Sequence, residues 1–367
     1  MKLVCDGLDL SDAVNKVVKA TAAKTLNPVL EGIKLTAKGD YLILTATDMD
    51  IFLEKKIRAE VFQEGEVVVK GKYFAEFVRK LDKEQIELSL IDDGKLNIKY
   101  TDAESSMPAL SAEEFPVVNK ELDKINFTLN QKELSDLIGK IIFSCSQDDA
   151  RPLLKGCLFD IEGGILTGVA LDGFRMALCR KHVECNAEKV AAVIPARSLS
   201  EIARLLEKED EQVTVKIQDN SLMVEVDSTI IIARLLEGQF INYKQVIPSS
   251  FMTNITVNKQ QLEDGIERAS IVARGDKNNL IKLEIKEDYM CIRAETEIGS
   301  VNESILVNLA GRDLTIAFNS RYYSEALKAI DDEFIKIYFN TEVTPCIIKP
   351  CSGEDYTYLI LPVRITA

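Results

Sequence analysis

Acid–base and nucleophilic chemistry need particular side chains in particular company, and this 367-residue chain offers few of them. Its one histidine, His182, lies in the charged stretch Arg180-Lys181-His182-Val183. Any Ser-His-Asp or Cys-His device would have to use it, and no nucleophile motif surrounds it. The eight cysteines (Cys5, Cys145, Cys157, Cys179, Cys185, Cys291, Cys346 and Cys351) form no CxxC pair. With a single histidine beside them, the Cys/His sets of zinc sites are not available, and free, mostly buried thiols in a reducing compartment are expected. Asp48 and Asp50 suggest paired carboxylates, but strand alternation would put both on one exposed face. The run Glu207-Lys208-Glu209-Asp210-Glu211 alternates with lysine and reads as a solvated loop. Gly163-Gly164 sits between two strand-like runs as a hairpin turn, and neither phosphate-binding glycine pattern occurs. No catalytic constellation emerges, and no cofactor or metal is expected.

The composition narrows the partners. Forty-five Lys and Arg against fifty-nine Asp and Glu give a net charge of −14, which repels nucleic acid and anionic membrane at long range. A basic lining hidden in that average remains open. Met1-Lys2-Leu3-Val4-Cys5-Asp6 has no apolar signal region, and no apolar run approaches the ~20 residues of a membrane span. The N-x-S/T matches at Asn126, Asn254 and Asn302 then carry no weight, and a soluble, cytoplasmic protein is expected.

The elements that position side chains repeat three times. Leu10-Ser11-Asp12-Ala13-Val14-Asn15-Lys16 recurs as Leu134-Ser135-Asp136-Leu137-Ile138-Gly139-Lys140 and as Leu262-Glu263-Asp264-Gly265-Ile266-Glu267-Arg268. Each copy follows a short alternating strand and opens an amphipathic helix. A second triplet, Lys72 to Arg79, Arg197 to Arg204 and Arg321 to Lys328, carries a base, a Glu four residues on and a base three after that. Ala46-Thr47-Asp48, Ala170-Leu171-Asp172 and Ala294-Glu295-Thr296 mark a third set, all in phase at about 125 residues. Three α+β domains of one fold follow, each with two helices against antiparallel sheet, over 1–119, 120–247 and 248–367.

The helices of all three units carry bases at spacings of three, four or seven, hence along one stripe. They include Lys16, Lys19, Lys72, Arg79, Lys80, Lys140, Arg197, Arg204, Lys259, Arg268, Arg321 and Lys328, with Lys24 and Arg274 just beyond. One such helix is an ordinary solvent face. Six of them in a chain of net −14 favour a shared electropositive surface.

Across its whole length the sequence resembles the bacterial sliding clamp family, the β subunit of DNA polymerase III. The marks are Lys24-Thr25-Leu26-Asn27-Pro28-Val29-Leu30, Ala112-Glu113-Glu114-Phe115-Pro116, Ala170-Leu171-Asp172-Gly173-Phe174-Arg175-Met176, Gly238-Gln239-Phe240-Ile241-Asn242-Tyr243 and Leu361-Pro362-Val363-Arg364. The resemblance implies a head-to-tail homodimer, a six-domain ring whose helices face duplex DNA. It implies DNA contact at Lys24 and Arg151, and partners in the replicative polymerase, the clamp loader and other proteins with a clamp-binding motif. It also implies a peptide pocket walled by Leu154, Leu171, Gly173, Phe174, Arg175, Met176, Ile241, Gln245, Val246, Leu359, Leu361, Pro362, Val363 and Arg364, with Arg175 offering hydrogen bonds to the peptide. Leu171 stands where the family usually has threonine, Phe174 where it has histidine, and Ile241 where it has proline. All three departures make the pocket more apolar. The implied dimer contact uses Ile271 and Val272 on one side and Ser105 and Met107 on the other, where bulkier apolar residues are common. Two rivals stand beside this reading. An α/β enzyme would show a cleft with perturbed titratable groups, and a monomeric scaffold would use the same pocket without a ring.

Overall fold

The structure, a computed structural model, describes residues 1–81, 84–91, 94–122, 124–206 and 210–364. The first repeat runs β1 (Lys2–Asp6), α1 (Gly7–Val17), β2 (Gly32–Lys38), β3 (Tyr41–Thr47), β4 (Ile51–Gln63), β5 (Gly65–Lys70), α2 (Gly71–Val78), β6 (Gln85–Ile91), β7 (Lys95–Tyr100) and β8 (Ala103–Leu110). The second runs β9 (Ile125–Asn130), α3 (Gln131–Ile141), β10 (Gly156–Glu162), β11 (Ile165–Leu171), β12 (Arg175–His182), β13 (Glu184–Cys185), β14 (Lys189–Pro195), α4 (Ala196–Ala203), β15 (Gln212–Gln218), β16 (Ser221–Val226) and β17 (Thr229–Arg234). The third runs β18 (Thr253–Asn258), α5 (Lys259–Ala273), β19 (Leu280–Ile285), β20 (Tyr289–Thr296), β21 (Gly299–Ala310), β22 (Leu314–Asn319), α6 (Ser320–Lys328), β23 (Phe334–Phe339), β24 (Cys346–Pro350) and β25 (Tyr356–Ile360). One order of elements, strand–helix–strands–helix–three strands, thus occurs three times, and the α+β expectation holds. Only the second repeat departs from it, since β12 and β13 stand where the others have one long strand.

Local chemistry explains the repetition. The first helix of each repeat starts on an acceptor: Asp6 takes the N–H groups of Leu8 and Asp9, Asn130 that of Lys132, and Asn258 that of Gln261. Buried Leu10, Ala13, Val14 and Val17 on α1 match Leu134, Leu137, Ile138 and Ile141 on α3, one apolar stripe at helical spacing in both. Gly168 on β11 lets α3 close down. A Cβ there would lie 2.8 Å from Leu137 Cδ2 and Ile141 Cδ1. Gly163 and Gly164 turn β10 into β11 with φ of 59° and 75°, which makes the expected hairpin.

By contacts the chain forms two compact units, each larger than one repeat. The first holds Met1–Thr128 and Glu211–Leu235, the second Leu129–Ala203 and Leu236–Ala367, apart from short exchanges near Arg204. The middle repeat is therefore shared between them. In the first unit the strands run β6-β7-β8-β5-β2-β3-β4-β17-β16-β15, with β1 pairing both β4 and β6. In the second they form a 12-stranded sheet in the order β14-β10-β11-β12-β25-β24-β23-β18-β21-β20-β19-β22. Each unit contains one junction between successive repeats, β4 on β17 and β12 on β25.

Candidate functional site

The β12–β25 junction is built by register. Met176 pairs with Leu359 and Arg175 with Ile360. Leu154, Leu171, Met176 and Leu359 join Leu158, Val169, Val193, Tyr243 and Ile347 in one buried apolar cluster. Four of the expected apolar wall residues stay exposed. Phe174 is 58% exposed, Ile241 47%, Val246 42% and Leu361 37%. Sequence reasoning grouped these residues as one concave wall. The structure separates them by burial: Leu154, Leu171, Met176 and Leu359 are core, with Met176 only 2% exposed, whereas Phe174, Ile241, Val246 and Leu361 face solvent. Gly173 and Gln245 are exposed as well. The chain end is tied down there: Leu361 N–H donates to the Phe174 carbonyl at 2.9 Å, and Val363 N–H to the Ala317 carbonyl at 2.8 Å. Pro362 and Val363 are half-buried and Arg364 is exposed.

Arg175 opens β12. Its guanidinium is buried and already engaged: Nε donates to Asp172 Oδ2 at 3.0 Å, Nη2 to the Phe143 carbonyl at 2.6 Å, and Nη1 to Glu325. It also lies over the rings of Phe143 and Tyr322, 5.4 and 4.7 Å from their centroids. Three of its five N–H donors are held this way, so the side chain braces the turn from within the chain. Asp172 Oδ1 in turn accepts the N–H groups of Phe174 and Arg175, which shapes the turn that presents Phe174. Tyr322, Glu325 and Phe143 were not singled out as site residues from sequence. Glu325 was visible only as a landmark of the second-helix pattern, because pairing across 150 residues leaves no local trace.

Asp48 and Asp50 are corrected. They lie in a turn, not a strand, where Asp48 Oδ1 accepts the N–H groups of Asp50 and Ile51. Of the acidic run, Glu207, Lys208 and Glu209 lie outside the described residues. His182 is exposed at the end of β12. All eight cysteines are free, and Cys5, Cys145, Cys157, Cys179, Cys291 and Cys346 are buried. Burial, helped by Asp6 and Asp9, pushes the Cys5 thiol up to about 12. Burial takes Cys179 to about 11, far from the thiolate a nucleophile needs. No helix among the described residues is long and apolar enough to cross a membrane.

The basic residues divide into two groups. Lys16 pairs with Asp12 at 3.0 Å, Lys140 with Asp331 at 3.2 Å, Arg321 with Glu325 at 2.8 Å and Lys328 with Glu267 at 2.8 Å. Arg268 grips Glu303 through two 2.7 Å hydrogen bonds, and Arg79 reaches Asn15. Lys24, Lys72, Lys80 and Arg151 are exposed and have no carboxylate partner among the described residues. The expected stripe of free charge is thus partly neutralised by neighbouring acids. Lys19, Arg197 and Arg204 also have interaction partners. At the expected interface positions Ile271 is 63% exposed, and Val272, Ser105 and Met107 are half-buried.

Known proteins share this arrangement. Models of the DNA polymerase III beta subunit match residues 1–119 with its N-terminal domain, 128–242 with its central domain and 244–364 with its C-terminal domain. The chain is 33% identical over 365 residues to the beta sliding clamp of Halalkalibacterium halodurans, and 30% over 361 residues to that of Staphylococcus epidermidis, covering 96% of each chain in both cases. It superposes on the DNA polymerase sliding clamp of Bacillus subtilis with a TM-score of 0.95 at 29% identity, and on DNA polymerase III beta subunit from Thermotoga maritima with 0.92 at 28%, over the whole of each chain. A thrice-repeated fold, matched domain by domain along its length, makes this chain a member of the DNA polymerase III β subunit, or sliding clamp, family.

Proposed function

We propose that two copies of this chain close head to tail into a ring around duplex DNA, and that the β12–β25 junction holds short peptides of the replicative polymerase, the clamp loader and other partners. The observation that carries the reading is the uncovered apolar rim of Phe174, Ile241, Val246 and Leu361 over a buried floor, since a monomer rarely leaves such a patch open without a use for it. In this reading the domains span 1–119, 120–247 and 248–367, the protein works in the cytoplasm, and it does no chemistry of its own. Leucine or phenylalanine side chains of a peptide fill the space between the rim residues, and Gln245 and nearby backbone amides serve its polar groups.

Ring closure needs two unpaired strand edges. Among the described residues, 103–108 of β8 pair only with β7, and 299–306 of β21 only with β20, so each keeps one edge open there. Ser105 and Met107 beside the first, and Ile271 and Val272 on α5, are the proposed contacts of a heterologous interface that closes. DNA is then held by enclosure. Lys24, Lys72, Lys80 and Arg151 offer unengaged charge. Lys16, Lys19, Lys140, Arg79, Arg197, Arg204, Arg268, Arg321 and Lys328 exchange their present partners for phosphate transiently, which gives weak contacts without sequence preference.

The test is retention on DNA. Loaded on a closed circle, the protein should stay through a high-salt wash and leave once the circle is cut. Linear duplex should bind weakly and less as salt rises. Equal retention on cut and intact circles, or a monomer by sedimentation at micromolar concentration, contradicts the ring.

A further inference from the structure

Resting on the peptide-pocket reading, we infer that Glu325 and Tyr322 of α6 are positioning residues for peptide recognition: Glu325 through Arg175, and Tyr322 by stacking, hold Phe174 as a fixed aromatic wall for a leucine or phenylalanine anchor. Three contacts link four groups. The Arg175 guanidinium lies over the rings of both Phe143 and Tyr322, and Phe174 stacks on Tyr322 with centroids 6.0 Å apart and planes 18° apart. Tyr322 and Glu325 are three residues apart on α6 and so share a face. One supplies a ring to the guanidinium and the other a carboxylate. Glu325 is itself held by Arg321 Nε at 2.8 Å.

This brace answers a physical difficulty. An exposed phenylalanine in a turn has open rotamers, and fixing it on binding opposes affinity. A ring already stacked on Tyr322 has less freedom to lose. Burying the Arg175 charge is tolerable because Asp172, Glu325 and the Phe143 carbonyl satisfy it together. Removing one of the three leaves a buried donor unpaired and loosens the stack whose outer face is Phe174.

The chain has no tryptophan, so Phe174→Trp creates a single reporter at the rim. In that background Glu325→Gln and Tyr322→Leu should each red-shift the emission as the stack loosens. In the otherwise native chain, Glu325→Gln should weaken a polymerase-derived peptide at least fivefold by fluorescence anisotropy. The pair Arg175→Met with Glu325→Gln should bind no more weakly than Arg175→Met alone, because Glu325 acts through Arg175. Unchanged emission in both reporter variants overturns the inference, whatever the peptide does. So does additive loss in the double variant, or affinity within twofold of native for Glu325→Gln. If the native chain binds no peptide, the pocket reading fails, while the emission comparison still decides whether the brace exists.

Discussion

The two repeat junctions share a backbone and differ in what covers them. At the first, Arg234 N–H donates to the Asp50 carbonyl at 2.9 Å. At the second, Leu361 N–H donates to the Phe174 carbonyl at the same distance. Ile51 pairs with Ala233 as Arg175 does with Ile360, and Phe52 with Ile232 as Met176 does with Leu359. An aspartate shapes each preceding turn in the same way. Yet the exposed positions flanking the first junction are charged, Asp50 and Arg234, where the second has Phe174 and Leu361. The segment after β8 also folds over the first cluster. Leu122 is buried with Phe52, Met223 and Ile232, Val118 packs on them, and Lys120 reaches Glu54 at 2.7 Å above the Phe52 ring. Repetition supplies the platform, and a few side chains with the path of one linker decide whether its apolar positions are covered or exposed.

The largest expected effect breaks the closed junction. Phe52→Ala should lower unfolding stability by about 3–5 kcal/mol in denaturant melts, as for other buried aromatics, and leave peptide affinity within twofold. Phe174→Asp combined with Leu361→Arg gives the open junction the charged rim of the closed one. It should cost about 2–4 kcal/mol of peptide binding by anisotropy, the range of central interface anchors, with melting little changed because both residues are exposed. Gly173→Ala sharpens the comparison further. Gly173 has φ of 96°, so the change should cost about 1–2 kcal/mol of stability, the usual penalty for a side chain in this region. It should still fold, since Met49 occupies the equivalent turn position with φ of 79°. Lys120→Met removes a partly exposed ion pair and should change stability by about 0.2–1 kcal/mol.

The last effect is present at neutral pH and fades in acid. Burial alone would raise the Glu325 carboxyl, but hydrogen bonds and charge from Arg321 and Arg175 outweigh it and hold the group below its ordinary value. Its contribution is therefore present above the unfolded-state value and is lost as pH falls through the folded one. Acid melts of the native chain and Glu325→Gln should converge as pH drops through that range and diverge above it. Parallel curves would mean that Glu325 is not engaged.

Much of this was legible in the sequence because it is periodic. The stripes Leu10-Ala13-Val14-Val17 and Leu134-Leu137-Ile138-Ile141, and the Gly163-Gly164 turn, are local patterns with local causes. The family marks located the junction residues. The division of those residues into floor and rim was not legible, because Met176 and Phe174 are both apolar and only two residues apart, and their exposure is set by a strand and a chain end far away in sequence. The same reason hid the engagement of Arg175 by Glu325 and the pairing of Lys140 with Asp331. Asp48 and Asp50 read as a strand because Thr45-Ala46-Thr47 alternates into them, whereas capping of backbone N–H groups by Asp48 ends the strand at Thr47.

Hydrogen exchange with and without a saturating polymerase-derived peptide addresses both junctions in one measurement. Protection should rise across 171–176, 241–247 and 359–363 and stay unchanged across 48–53 and 117–122. Protection at the closed junction, or none at the open one, would contradict the claim that the uncovered rim of the second junction is where this clamp meets its partners.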